Sequence, residues 1–94
     1  MMNLEQRQLC GVRRARMRFR IREVLDRNNT NAKRIAEALG ISHQAVLKVL
    51  QGNSHSIRVL DALRAAGVPE RYLFDPRSEH AMDLLPTQEE GTGT

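Results

Sequence analysis

Residues 32–52 read AKRIAEALGISHQAVLKVLQG, and the order of these residues decides the fold. Asn31 or Thr30 offers a side-chain oxygen to cap a helix starting at Ala32, and Gly40 is placed to adopt the left-handed conformation that ends it. Ser42 is a good cap for a second helix from about His43 to Gln51. Two short helices separated only by Gly, an apolar residue and Ser must turn a tight corner. Such a corner demands a small residue where the helices touch, which Ala36 supplies, and apolar residues to fill the angle between them. Ile35, Leu39, Ile41, Val46 and Val49 stand at those places, and no charged side chain interrupts the set.

Upstream, a helix pattern is clear from Val12. Met17, Ile21, Val24 and Leu25 fall on one face at a 3.6-residue period, and Asn28, Asn29 and Thr30 end the element. Residues 1–11 read as a polar arm or a frayed helix start, because Gly11 interrupts whatever begins there. Six of the ten residues from Arg13 to Arg22 are Arg, with no acid among them to form helix pairs, and a phosphate-facing role for Arg16, Arg18, Arg20 and Arg22 follows. The bland reading is a solvated helix surface. Val12, Ala15 and Phe19 form a second stripe roughly opposite the first, which predicts a surface for self-association.

Downstream, Ser54 or Ser56 can cap a fourth helix running to Ala66, with Ile57, Val59, Leu60 and Leu63 available to the core. Gly67 stops it. Pro69 suits the first turn of a last short helix, Glu70 to Phe74, whose Tyr72, Leu73 and Phe74 close the core, and Asp75-Pro76 ends that element. Residues 77–94 hold only a sparse apolar set, Ala81, Met82, Leu84 and Leu85, and are predicted to be disordered.

The chain of 94 residues has room for one domain with a modest core. Hydrophobic content is 40%, but without Trp and with one Tyr and two Phe that core must be built from Leu, Ile, Val, Ala and Met, a helical composition. The predicted class is therefore all-α: a compact five-helix domain over 12–76, between an arm at 1–11 and a flexible acidic tail at 77–94. The formal charge of +4 hides an asymmetry. Residues 1–74 carry 14 Lys/Arg against 6 Asp/Glu, whereas 75–94 carry 1 against 5. So basic a body favours a polyanionic partner, usually nucleic acid, with an anionic membrane surface as the other possibility.

No uninterrupted apolar run approaches roughly 18 residues, so no membrane span is expected. Leu4 to Val12 is mostly polar, unlike a signal peptide, and the Arg-rich stretch runs into Glu23 and Asp26, unlike a transit peptide. The protein is expected to be cytoplasmic. Cys10 is the only cysteine, which excludes an intrachain disulfide and a cysteine-rich metal site. His43, His55 and His80 show no metal spacing. Gly52 is isolated and Lys48 precedes it, so there is no Gly-rich phosphate loop, and the carboxylates are too scattered for paired acid/base work. Neither an enzyme, a cofactor nor a small-molecule substrate is expected.

Residues 32–52 resemble the helix-turn-helix segment of phage repressors and Cro proteins, in the lambda-repressor-like fold. In order and spacing the resemblance covers roughly residues 17–74. The stretch LRAAGVPERYLFDP, residues 63–76, further resembles small regulators of Mu-like transposable phages and prophages. The resemblance implies a double-stranded DNA-binding regulator of phage promoters, acting by repression or by coating DNA. It implies base contacts near the start of the second helix, matched by His43, Gln44 and Lys48. It also implies phosphate contacts at Ser42 and in the following loop, matched by Asn53 and Ser54. Members often carry Gln at the start of the first helix to brace the second; this chain has Ala32 there, leaving Asn31 or Lys33 as substitutes.

Helix 43–51 can also be read on its own. Val46, Val49 and Leu50 share one side at 100° per residue, and His43, Gln44, Leu47, Lys48 and Gln51 spread over the other. Gln44 can contact adenine bidentately, Lys48 can reach guanine O6/N7 or a phosphate, and Leu47 can touch a thymine methyl. Such domains usually dimerise to read two half-sites, here through Val12, Ala15 and Phe19, or build longer arrays on DNA. A protein-interaction module, such as an antirepressor or antitoxin-like subunit, is the alternative from another class. RNA binding is disfavoured by the scarcity of aromatics for base stacking.

Overall fold

The computed structural model describes residues 3–78, and every regular element in them is helical. Six helices follow in order: α1 (Leu4–Arg16), α2 (Arg18–Arg27), α3 (Ala32–Leu39), α4 (His43–Leu50), α5 (Ile57–Ala65) and α6 (Glu70–Leu73). That is one more than the sequence suggested, and the difference lies at the N-terminal end. Residues 3–11 are no arm. Asn3 accepts from the Gln6 N–H at 2.8 Å while the Gln6 side chain accepts from the Asn3 N–H at 2.9 Å, a reciprocal cap that starts α1. The helix then runs through Gly11 without a break. The real interruption is at Met17, where φ −96° and ψ 6° leave helical geometry before α2 resumes.

One stripe continues across both helices. Cys10, Arg14, Met17, Ile21, Val24 and Leu25 follow each other at intervals of three, four or one residue, and all but half-buried Met17 are buried. Four of these six were legible in the sequence. On the opposite side Val12 is exposed, Phe19 is 61% exposed and Ala15 is half-buried, with Leu4 extending the same outer stripe.

The core gathers Ile21, Val24 and Leu25 from α2, Ile35 and Ala36 from α3, and Val46, Val49 and Leu50 from α4. Val59, Leu60 and Leu63 from α5 join them, with Val68 and Leu73. Ser56 caps α5, its Oγ accepting from the Val59 N–H at 3.4 Å. Ile57, expected in this core, is 50% exposed, because as the first residue after that cap it faces outward. The last helix ends one residue early, with Phe74 in the left-handed region at φ 46° and its ring buried.

Arg77, assigned to the tail by sequence, is tied to the fold. Its guanidinium donates to Asp61 and to Asp75, each at 2.8 Å, and Asp75 also pairs with Arg64 at 3.1 Å. Asp75 is almost fully buried. Burial alone would raise its carboxyl, but the bonds from Arg77 and Arg64 overcome that and hold it below the usual carboxylate range. The remainder of the predicted tail, residues 79–94, lies outside the described residues.

Candidate nucleic-acid interface

The site is built around α3, a three-residue turn and α4. The end of α3 carries a reciprocal pair of bonds: Ile41 N–H donates to Ala36 O at 3.0 Å and Gly40 N–H to Glu37 O at 3.2 Å. This closure requires a left-handed residue at position 40, and Gly40 (φ 71°) takes that conformation without a Cβ penalty. A side chain from α5 completes it, Arg58 donating to the Leu39 carbonyl at 2.6 Å. Ser42 then starts α4, its Oγ accepting from the Ala45 N–H at 3.1 Å, as Asn31 starts α3 by accepting from the Arg34 N–H at 2.9 Å. Both caps fall where the sequence placed them.

α4 ends in the same way as α3. Asn53 N–H donates to Lys48 O at 2.8 Å and Gly52 N–H to Val49 O at 3.1 Å, with Gly52 at φ 85°. Gly52 meets a second demand, because its backbone rests on Gly11 of α1 so closely that a Cβ on either residue would collide with the carbonyl oxygen of the other. Gly11 is therefore the point at which α1 touches the loop after α4.

With Val46 and Val49 fully buried and Leu50 nearly so, α4 shows its other side to solvent. Gln44, Lys48 and Gln51 are exposed and lie within about 60° of one another around the helix axis. His43 and Leu47 sit at one edge of that face, where they line a groove of about 360 Å³ together with Arg22, Leu25, Asp26, Asn31, Ala32, Lys33 and Leu50. The groove thus unites four of the predicted site residues, Arg22, Lys33, His43 and Leu47, from three helices. Its floor is apolar, and among the described residues neither Arg22 nor Lys33 is paired with a carboxylate. Beyond the far end of α4, Asn53 is exposed and Ser54 half-buried.

The four basic-helix candidates do not share one face. All are exposed, but residues two apart on a helix differ by about 200°, so Arg18 and Arg22 lie on one flank of α2 and Arg20 on the other. Arg20 pairs with Glu23 at 3.6 Å, and the Arg18 guanidinium lies 4.9 Å from the Phe19 ring centre. Arg16 ends α1, before the break at Met17.

Sequence reasoning missed Arg14, which is fully buried. Its Nε donates to Leu73 O at 2.6 Å, Nη1 to Val49 O at 3.0 Å and Ser54 O at 2.9 Å, and Nη2 to Phe74 O at 3.3 Å, with His55 Nδ1 2.9 Å from Nη2. One guanidinium thus satisfies carbonyls at the ends of α4 and α6 and in the loop between α4 and α5. Burial pushes it down to about 10, which leaves it protonated at neutral pH. Burial, followed by the charges of Arg14 and Arg7, lowers His55 from its ordinary value, so its ring is neutral and accepts at Nδ1. The available signal was the spacing of Arg14, four residues after Cys10 and seven before Ile21 on the buried stripe.

Among the described residues no three His, Cys, Asp or Glu side chains gather as metal ligands would, and no helix is long and apolar enough to cross a membrane. Comparison with family models, with curated proteins and with solved structures found no match to this chain.

Proposed function

We propose that the chain is a double-stranded DNA-binding regulator of the lambda-repressor-like helix-turn-helix kind, a binding protein rather than an enzyme. It acts in the cytoplasm as a repressor or silencer, of phage or prophage promoters, by inserting α4 in the major groove. The observation that carries this reading is the polar face of α4, Gln44, Lys48 and Gln51, bordered on the His43 side by a groove with Arg22 and Lys33 on its rim. Long polar side chains on a rigid helix reach base edges, while unpaired cations beside it neutralise backbone phosphates and fix the register. Asn53, exposed just past α4, adds a phosphate contact on the opposite side, with Ser54 behind it. Two copies joined through the outer stripe of Val12, Ala15 and Phe19 would read paired half-sites.

The test is a mobility-shift assay with specific and random duplex at two salt concentrations. Gln44→Ala spares the buried face of α4 and is expected to cost roughly 1 to 3 kcal/mol on the specific site, leaving affinity for random duplex nearly unchanged. Lys48→Ala either relaxes the preference, marking a base contact, or weakens all duplexes alike, marking a phosphate contact. Wild-type affinity in both variants would remove α4 as the reading surface.

A further inference from the structure

Arg14 lies outside the proposed reading surface, yet it grips that surface from behind. Val49 O is one of the last carbonyls of α4, and Ser54 O belongs to the loop that carries the proposed phosphate contacts. Both are held by the same nitrogen, Nη1, at 3.0 and 2.9 Å. The other partners, Leu73 O, Phe74 O and His55 Nδ1, fix the orientation of the guanidinium. Helix ends leave carbonyls without intrahelical partners, and when buried these must find a donor. Here one planar cation from α1 serves two helix ends and a loop, a task that needs the forked geometry of Arg.

We propose that Arg14 is the positioning residue of the interface: it holds the last turn of α4 and the loop 51–55 at a fixed distance from the basic helices, and it does so only while His55 offers it an unprotonated nitrogen. This rests on the DNA-binding reading for its purpose, though not for its geometry. A protonated His55 has no lone pair for Nη2 and sets a second cation 2.9 Å from the first. The charged and titratable groups that face His55 are Arg14 and Arg7 on α1, and Asp75 after α6. Two of these are cations against a single carboxylate already committed to Arg64 and Arg77, and together with burial they outweigh what that carboxylate and the backbone hydrogen bond between His55 and Arg7 give back to the new charge. Relief comes from movement of the segment that carries His55, and that segment is the loop.

The experiment uses the full chain, wild type and His55→Gln, the Gln side chain offering Arg14 an oxygen that does not titrate. Amide protection factors at residues 51–55 and affinity for a specific duplex are measured between pH 7.5 and pH 5. Wild type is expected to lose protection roughly ten- to a hundredfold relative to His55→Gln as the pH falls, the loss a charge-assisted bond of this kind implies. The remaining histidines are common to both proteins and cancel in the comparison. Arg14→Lys, if it folds, should show low protection of the loop at pH 7.5 and little further change. The same pH dependence in wild type and His55→Gln would overturn the proposal. Divergent protection with identical DNA affinities would leave Arg14 as the holder of the loop and instead refute the loop as part of the DNA interface.

Discussion

Gly11→Ala is the substitution for which helix propensity and packing give opposite answers. Gly11 lies inside α1, where Ala is favoured by about 1 kcal/mol if nothing else intervenes. Its Cβ, however, would meet the Gly52 carbonyl, with the carbonyl carbon only 3.0 Å away and Cα 3.2 Å away, and the oxygen closer still. All three atoms are backbone, so no rotamer change relieves the clash and α1 must withdraw from the loop. Withdrawal is opposed one turn later, where Arg14 is bound to Val49 and Ser54 at 3.0 and 2.9 Å. Overpacking of this kind costs about 1 to 3 kcal/mol, and weakening a charge-assisted bond adds a share of about 1.5 to 3 kcal/mol. After subtracting the propensity gain, a net loss of roughly 1 to 3 kcal/mol remains. For a domain of this size each kcal/mol lowers the melting temperature by about 4 to 8 °C. Urea unfolding of wild type, Gly11→Ala and Gln8→Ala measures it, the last being an exposed position on the same helix whose midpoint should barely move. If Gly11→Ala raised the midpoint by the full propensity gain, the contact between Gly11 and Gly52 would not exist in solution.

Two further outcomes follow from the charges. Arg22→Ala should flatten the salt dependence of DNA binding by about one unit of slope, whereas Arg20→Ala, on the other flank and paired with Glu23, should leave the slope unchanged; equal slopes in the two variants would make the arginines a uniform coat. Acid should destabilise the fold in two stages. His55 is depressed below its ordinary value in the folded state, so its contribution is complete above about pH 6.5 and is lost as pH falls through the folded value. Asp75 is likewise depressed, so its contribution is complete above about pH 4 and fades only below that. Melting temperatures at pH 7, 5 and 3 should show Asp75→Asn removing the lower stage alone, and an unaltered lower stage would clear Asp75 of that role.

The centre of the fold was legible because its determinants are local. Asn31, Gly40 and Ser42 act on backbone groups within five residues of themselves, and Val46, Val49 and Leu50 declare the buried side of α4 by period alone. Ile57 was misjudged because an apolar residue directly after a cap has no preceding helical turn to fix its direction, and the period cannot tell that it points outward.

The N-terminal helices were misread for a different reason. Gly11 signals a break only if its neighbours are local; its true partner, Gly52, is far along the chain, and a close approach of two backbones leaves no mark except a glycine at each end. The arginines pose the same problem more sharply. Six of them in ten residues look like one class, yet alternate positions face opposite flanks, and Arg14 falls on the stripe that the core occupies. Its bonds reach 35 to 60 residues ahead, to carbonyls that come into place as acceptors only once α4 and α6 have formed and ended. A buried cation of this kind is specified by where other helices stop. The sequence around it records only that its neighbours at Cys10, Met17 and Ile21 turn inward, and those neighbours identify Arg14 once the stripe is followed through the charge instead of being ended by it.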